Sequence, residues 1–458
     1  MEDWGGARSC PPARYPSNLI GAWRITVTSM KNTSPASYYR ATANAYPAYA
    51  PLKARSEAKV AIIGGGFAGL HAALGLAERG MRDVVLLERE QIGFGASGRN
   101  GGFVFAGYSL GEQALLDAHG GAQARAMFQR TTDAVERIRQ LVRRYDIACD
   151  VVDEGVIWAN WFRDPGVLRQ RQQLLADHYG VNWTWLERDR LRELVRSERY
   201  FDGLYERNAL HLHPLNFAIG LATAASGQGV RIHEETDVWR VRREGARWCI
   251  SAAHGEILAD QVVLACGGYL GGLHRQIDRA ILPIATYVMV TEPLGERMQG
   301  ILRTRAAVYD SRFAFDYYRP LSDSRLLWGG RISVRDRSAR GVQRLLMNDL
   351  LRVFPSLKGT RVDYAWSGLM SYARHQMPQI GTRGDGLWWA QAFGGHGLAP
   401  TCAAGELLAA ALTEGSDAWK PFAHYGLDNT YRPMGYLAAQ AGYWWQQGKD
   451  WFKTRLEG

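Results

Sequence analysis

Hydrophobic patterning along the chain changes period at three places, and each change falls on a glycine cluster. Val60 to Ile63 is a short, continuous, β-branched run, the pattern of a strand buried on both faces. It runs into Gly64-x-Gly66-x-x-Gly69, and an Ala/Leu-rich stretch of helical composition follows. A second apolar run, Val84 to Leu87, ends at Glu88, 19 residues beyond Gly69. The next segments read as helices over 111–145, a strand over 150–160, a helix over 165–179 and a helix over 213–227 with a Pro-Leu-Asn entry. Short strands follow at 230–233, 236–241 and 248–250, and Ala259–Leu264 leads into the turn Ala265-Cys266-Gly267-Gly268. Residues 280–355 carry strand-like runs and one helical stretch near 338–353. Finally LWWAQAFGGHG at 387–397 is a strand entering Gly-Gly-His-Gly, with a helix over 401–412 behind it.

The order strand, glycine turn, helix, strand, acid is the full context of a dinucleotide-binding fingerprint. Gly64 allows the tight turn, Gly66 lets a pyrophosphate approach the backbone, and Gly69 lets helix and strand pack closely. The pyrophosphate would sit at the helix N-terminus, where N–H groups without helical acceptors and the helix dipole favour an anion. Glu88 would accept hydrogen bonds from the adenosine ribose. This fingerprint does not separate FAD from NAD. The stretch GFGASGRNGGF at 93–103 does bear on that choice, because it follows the second strand directly and contains five glycines. A bound NAD has no large ring needing a second cradle there, whereas a ribityl arm and three-ring flavin do.

Two strand–glycine–helix points bracketing a β-rich insertion predict an α/β chain: a Rossmann-like FAD-binding domain with an inserted β-rich substrate domain. The expected division is FAD-binding segments at 37–150, 213–279 and 358–414, substrate-domain segments at 151–212 and 280–357, and a C-terminal tail at 415–458. Residues 1–36 stand apart as an extension; acid near their start and Arg24 in their apolar patch do not suit a secretory signal.

Composition narrows the class. The 458 residues carry 55 basic and 45 acidic side chains, net +10, but the arginine excess is scattered, so no nucleic-acid partner is expected. The longest apolar run, near 262–273, is shorter than the ~18 residues a bilayer span needs. Five cysteines at 10, 149, 249, 266 and 402 show no C-x-x-C or zinc spacing, which suits a reducing cytoplasm and predicts no metal site. Lysine is absent between Lys59 and Lys358.

Together, GASGRNGG at 95–102, YYRPLSDSRLLWGGR at 317–331, WSGLMSYARHQMPQIG at 366–381 and QAFGGHGLAPTCAAG at 391–405 carry a resemblance. From about Ser37 onward the chain resembles the FAD-dependent amine and amino-acid oxidoreductases of the D-amino-acid oxidase superfamily, most of all the gamma-glutamylputrescine oxidase-like branch. The resemblance implies non-covalent FAD on Gly64, Gly66, Phe67, Ala68 and Gly69, with Glu88 and Arg89 at the ribose and Val238 touching adenine through its backbone. Gly95, Ala96, Ser97, Arg99, Asn100, Gly101 and Gly102 would flank the flavin from one side, with Arg99 and Asn100 anchoring the loop or the cofactor. Ala265, Gly267 and the turn Gly394, Gly395, His396, Gly397 and Leu398 would complete the site, the last helix N-terminus facing the electron-rich edge of a reduced flavin.

Relatives that oxidise glycine or D-amino acids carry Gly-Leu-Arg-Pro, whose arginine grips the α-carboxylate; here Gly368-Leu369-Met370-Ser371 stands in its place. The expected substrate is therefore an amine, gamma-glutamylputrescine-like, whose carboxylate is distant or absent. The expected product is an imine or aldehyde, with hydrogen peroxide if oxygen is the acceptor. The alternative is a dehydrogenase passing electrons to a quinone or carrier protein. His396 is the candidate catalytic group, with flavin positioning as its other reading. Tyr317, Tyr318 and Trp328 are candidates for an apolar pocket, and Arg331 and Arg374 for a substrate carboxylate, unless they pair with protein acids. The tail GYWWQQGKDWFKTRLEG, dense in aromatic and basic residues, either lies on a membrane surface or packs on the protein's own surface.

Overall fold

Strand ends, more than strand middles, organise this protein, whose computed structural model describes residues 37–457; the extension 1–36 lies outside them. Ser56–Ile63 pairs in parallel with Val84–Leu87 on one side and Glu256–Leu264 on the other. Arg231–His233 and Leu387–Gln391 extend the parallel sheet outward, and Gln379–Thr382 adds an antiparallel edge. An antiparallel pair, Val238–Glu244 and Arg247–Ala252, branches from Glu256–Leu264. The central strands are buried throughout their second halves, as parallel strands covered on both faces must be. The register sets Ile63 beside Leu87 and Leu264, and Leu264 beside Trp389. All the loops leaving these strands therefore emerge along one edge, where ligands of such sheets bind.

Helix Phe67–Glu78 packs against both Pro214–Gly227 and Leu398–Glu414, and all three are mostly buried, so their apolar residues surround the axis instead of forming a stripe. Glu112–Arg144 is one helix interrupted at Gly120, whose φ of 73° and ψ of 166° are not helical.

A second sheet has the order Val362–Tyr372, Leu282–Thr291, Leu326–Ser333, Asp316–Pro320, Ala307–Asp310, Val156–Ala159, Gly203–Glu206, Thr184–Leu186. Helix Ala339–Val353 covers one face, burying Val342, Leu346, Leu350 and Val353 at helical spacing.

Several elements differ from the sequence reading. Val362–Tyr372, expected in the third FAD-binding segment, pairs with Leu282–Thr291 in the second sheet. The strand expected over 150–160 is confined to Val156–Ala159, because Gly155 turns the chain at φ 74°. The helix expected over 165–179 ends its α-form at Leu174 and closes in a wider turn, Leu175–Tyr179. Thr184–Leu186, Gly203–Glu206 and Ala307–Asp310 are too short to announce themselves by alternation.

Candidate active site

A cavity of about 1170 Å³ runs along the shared edge of strand ends and under the second sheet. Small-molecule sites commonly measure about 300–1,000 Å³, so this one has room for a dinucleotide and a second molecule. At its inner end Gly64 has φ 116°, and a Cβ there would stand 2.5 Å from the carbonyl oxygen of Ala265. A Cβ on Gly69 would fall 2.0 Å from the carbonyl oxygen of Gly64. Neither position admits a side chain, which is the physical content of the motif. Helix Phe67–Glu78 starts here, and the Phe67 N–H donates to Ser97 Oγ at 2.9 Å. Ala68 lines the cavity one residue further on, in the turn whose N–H groups have no helical acceptor.

Glu88 lines the cavity at the end of the second strand. Its carboxylate accepts the Gly65 N–H at 2.6 Å and the Glu90 N–H at 3.0 Å, which fixes its orientation. Burial pushes its pKa up, against the pull of these two donors. Each oxygen keeps acceptor capacity for a further donor. Arg89, Val238, Ala265 and Gly267 line the same end.

The loop 93–103 is held from within and from the second sheet. Asn100 Nδ2 donates to the carbonyls of Ala96 and Ser97, both at 2.9 Å, and its Oδ1 accepts the Gly102 N–H at 2.8 Å. Its amide is thus committed to the loop. Arg99 lies over the Phe94 ring at 4.6 Å and donates to the Phe94 carbonyl at 2.8 Å. Both residues anchor the loop. A further tie comes from the second sheet. Arg319, 2% exposed, donates to the carbonyls of Gly101 at 2.8 Å and Leu212 at 2.9 Å, to Tyr39 Oη at 3.2 Å, and contacts His211 Nδ1 at 3.2 Å. It stands in the motif YYRPL, where nothing local distinguishes a buried arginine from a solvated one.

The strand Asp316–Pro320 corrects the aromatic assignment. Tyr317 lines the cavity, but Tyr318 is fully buried on the opposite face, stacked on Trp328 with centroids 4.6 Å apart. Tyr318 therefore belongs to the core under helix Ala339–Val353, as does Trp328. Alternation along a strand requires this: neighbours cannot share a face. The cavity wall is instead built from Phe103, Phe105, Tyr309, Phe315 and Tyr317.

Five side chains that carry or can take a positive charge line the cavity: Arg89, Arg99, Arg331, Arg374 and His396. Arg331 forks onto Asp349 with bonds of 2.8 and 2.6 Å, so the protein already supplies its carboxylate. Arg89 lies 3.6 Å from Glu90. Arg374 is exposed at the rim near Tyr431, and among the described residues it has no acid partner. His396 stands edge-on to Phe105 with centroids 4.9 Å apart. Burial, with Arg171 adding, lowers its pKa to about 4, so it is neutral at neutral pH.

Around His396, the Gly395 N–H donates to Ser109 Oγ at 2.9 Å, and helix Leu398–Glu414 opens at Gly397. Helix Met434–Leu456 forms the outer wall through Gln440, Tyr443 and Gln446. The cavity thus offers a buried acid and a helix N-terminus at one end, a second helix N-terminus at the other, and an aromatic wall between. This donor set and volume fit an FAD. Cys266 also lines it, but burial raises that thiol to about 12, which leaves it a weak nucleophile; Cys402 is buried in its helix and is absent from the wall.

Residues 59–411 match the family model described as FAD dependent oxidoreductase. The chain is 34% identical over 394 residues to gamma-glutamylputrescine oxidoreductase of Escherichia coli, spanning 85% of this chain and 92% of that protein. It is 30% identical to a probable oxidoreductase of Haemophilus influenzae, over 82% of this chain and 88% of that one. Among solved structures, glycine oxidase from Geobacillus kaustophilus superposes with a TM-score of 0.67 at 22% identity, over 80% of this chain and 98% of that chain.

Proposed function

From the premise that the chain belongs to the FAD dependent oxidoreductase family, we propose that it oxidises an amine whose carboxylate lies far from the reacting carbon. A gamma-glutamyl amine is the first candidate, in keeping with the Escherichia coli relative's name. The observation that carries this reading is Arg374, the cavity-lining arginine at the rim with no acid partner among the described residues. At the wall position where α-amino-acid oxidisers carry their arginine, Met370 lines the cavity.

When bound, FAD supplies a two-electron acceptor for the C–H beside a neutral amine, and water then hydrolyses the imine. This chain's residues do the rest. Glu88, the turn at Gly64 and the N-terminus of Phe67–Glu78 hold the nucleotide end. The loop Gly95–Gly102 and the turn Gly394–Leu398, which includes His396, would hold the ring end. Neutral His396 places no charge against the incoming ammonium, and its low basicity leaves the amine's proton to solvent, so its part is positioning. The aromatic wall excludes water and presses the alkyl amine into place. Arg374 takes the distant carboxylate through its planar fork. Arg331, neutralised by Asp349, shapes the wall.

Oxygen is the proposed acceptor, with hydrogen peroxide as the second product. One observation favours the dehydrogenase reading: no lysine lines the cavity among the described residues. The test of the substrate reading pairs Arg374→Ala and Arg331→Ala with gamma-glutamylputrescine and a matched alkylamine lacking the carboxylate. Arg374→Ala should lower kcat/KM on the first substrate several-fold, about 1 kcal/mol for an ion pair at an exposed rim, and hardly affect the second. Equal losses on both would refute it.

A further inference from the structure

Helix Met434–Leu456 is built the wrong way round for a surface helix. A helix on a folded body normally turns its apolar stripe inward and its polar face to water. Here the polar residues face the body. Tyr443 Oη accepts the Ile332 N–H at 3.1 Å, and Gln440 Oε1 accepts the Val334 N–H at 3.3 Å. Further along, Asp450 accepts the Phe313 N–H at 2.9 Å and Thr454 Oγ1 accepts Trp161 Nε1–H at 3.1 Å. Outward, Trp444, Trp445, Trp451, Phe452 and Leu456 are 58–72% exposed. Spacings of 7 and 8 residues place Trp444, Trp451 and Phe452 on one side, with Gly448 between them. So large a contiguous apolar face on a soluble body marks a contact surface.

We propose that this face docks on an anionic lipid surface, with the helix lying in the plane of the interface. Two observations select that occupant. The helix's exposed charged side chains, Lys449 and Arg455, are both basic, while its one acid, Asp450, is engaged by the body. A tryptophan-rich face bordered by Lys and Arg is the composition of interfacial helices. A second copy suits the face less well, because a two-fold contact would bring Lys449 and Arg455 of both copies onto one interface. No helix among the described residues is long and apolar enough to cross a membrane, so the contact is peripheral. The inner side of the same helix lines the cavity through Gln440, Tyr443 and Gln446.

The test is sedimentation of the full-length, flavin-loaded protein with phosphatidylcholine vesicles containing phosphatidylserine, and with phosphatidylcholine alone. Binding is expected to the anionic vesicles only, weakening as salt is raised. Trp444→Gln with Trp451→Gln should lower the vesicle partition at least ten-fold, and Lys449→Glu should lower it too. Both variants should keep the flavin content and the turnover of a soluble amine. The proposal is overturned by no binding to anionic vesicles, by equal binding to both vesicle types, or by unchanged binding of the double variant. A dimer that dissociates in the double variant, without vesicle binding, would assign the face to a second copy and equally overturn it.

Discussion

Replacing Arg319 by methionine tests whether the second sheet holds the glycine loop in place. Arg319 is a buried guanidinium without a carboxylate partner; its acceptors are two carbonyls, one hydroxyl and one imidazole. The imidazole of His211 stays neutral because burial, with Arg319 adding, lowers its pKa to about 3. Methionine keeps the bulk of the stem and removes every donor. Hydrogen bonds from a charged group are worth about 1.5–3 kcal/mol each, and a buried acceptor left unpaired costs about 1–3 kcal/mol. Because the four share one side chain, their losses will not add fully. A destabilisation of about 3–5 kcal/mol follows, with the local share falling on Gly101 and Leu212. Loop Gly95–Gly102 then loses its tie to the strand Asp316–Pro320, and FAD retention should fall with it. Denaturant titration gives the first quantity, and flavin absorbance after dialysis gives the second. Arg319→Lys should lie between, since an ammonium has three donors and no planar fork. An Arg319→Met protein with unchanged denaturation midpoint and full flavin content would refute the reasoning.

Three further outcomes are expected. Glu88→Ala should lower FAD affinity at least ten-fold, because charge-assisted bonds of about 1.5–3 kcal/mol each to the ribose are lost; equilibrium dialysis reads this, and unchanged affinity would remove Glu88 from the cofactor site. Reduced enzyme mixed with air-saturated buffer in a stopped-flow should re-oxidise more slowly than sarcosine-oxidase relatives, since arginine, the cavity's fixed cation, is a poorer proton donor than lysine. His71, buried in helix Phe67–Glu78, has its pKa lowered by burial to about 3, from an ordinary 6.5. The unfolded chain therefore binds the extra proton first as pH falls, and stability present above pH ~6.5 is lost toward pH 3. His71→Gln removes one such proton: between pH 7 and 5 the variant should lose about 2 kcal/mol less stability than the parent, and identical pH slopes would contradict the assignment.

The sequence made the nucleotide end legible because its demands are local. A turn at positive φ, a close helix crossing and an acid at a strand end all fall within one βαβ unit, between Val60 and Glu88. The substrate end is assembled from segments far apart in the chain, and there local reading failed in identifiable ways. Of the pocket candidates Tyr317, Tyr318 and Trp328 only Tyr317 reaches the cavity, because a cluster of aromatic residues does not by itself show which face of its strand each one takes. The parity of the strand is set by its pairing with Leu326–Ser333, where Tyr318 sits opposite Trp328. Arg331 is a cation with no acid near it on its own strand, and its partner Asp349 comes from helix Ala339–Val353. Nothing in a spacing of 18 residues across a turn announces that pair.

The C-terminal helix shows why orientation is harder to read than periodicity. Its apolar residues recur at helical spacing, so both an amphipathic helix and its two faces are present in the sequence. The default inference would turn Trp444, Trp451 and Phe452 inward, since apolar burial near 25 cal/mol per Å² favours it. What reverses the helix is the surface beneath it. The backbone N–H groups of Ile332 and Val334, at and just beyond the end of strand Leu326–Ser333, and of Phe313 in the preceding loop face the helix. Each would cost about 1–3 kcal/mol if covered by an indole without an acceptor. Tyr443, Gln440 and Asp450 satisfy these donors, and the helix can offer those three together only by turning its aromatic face outward. Polar satisfaction of the body therefore fixes the helix's rotation, and leaves the apolar face for a second surface to cover.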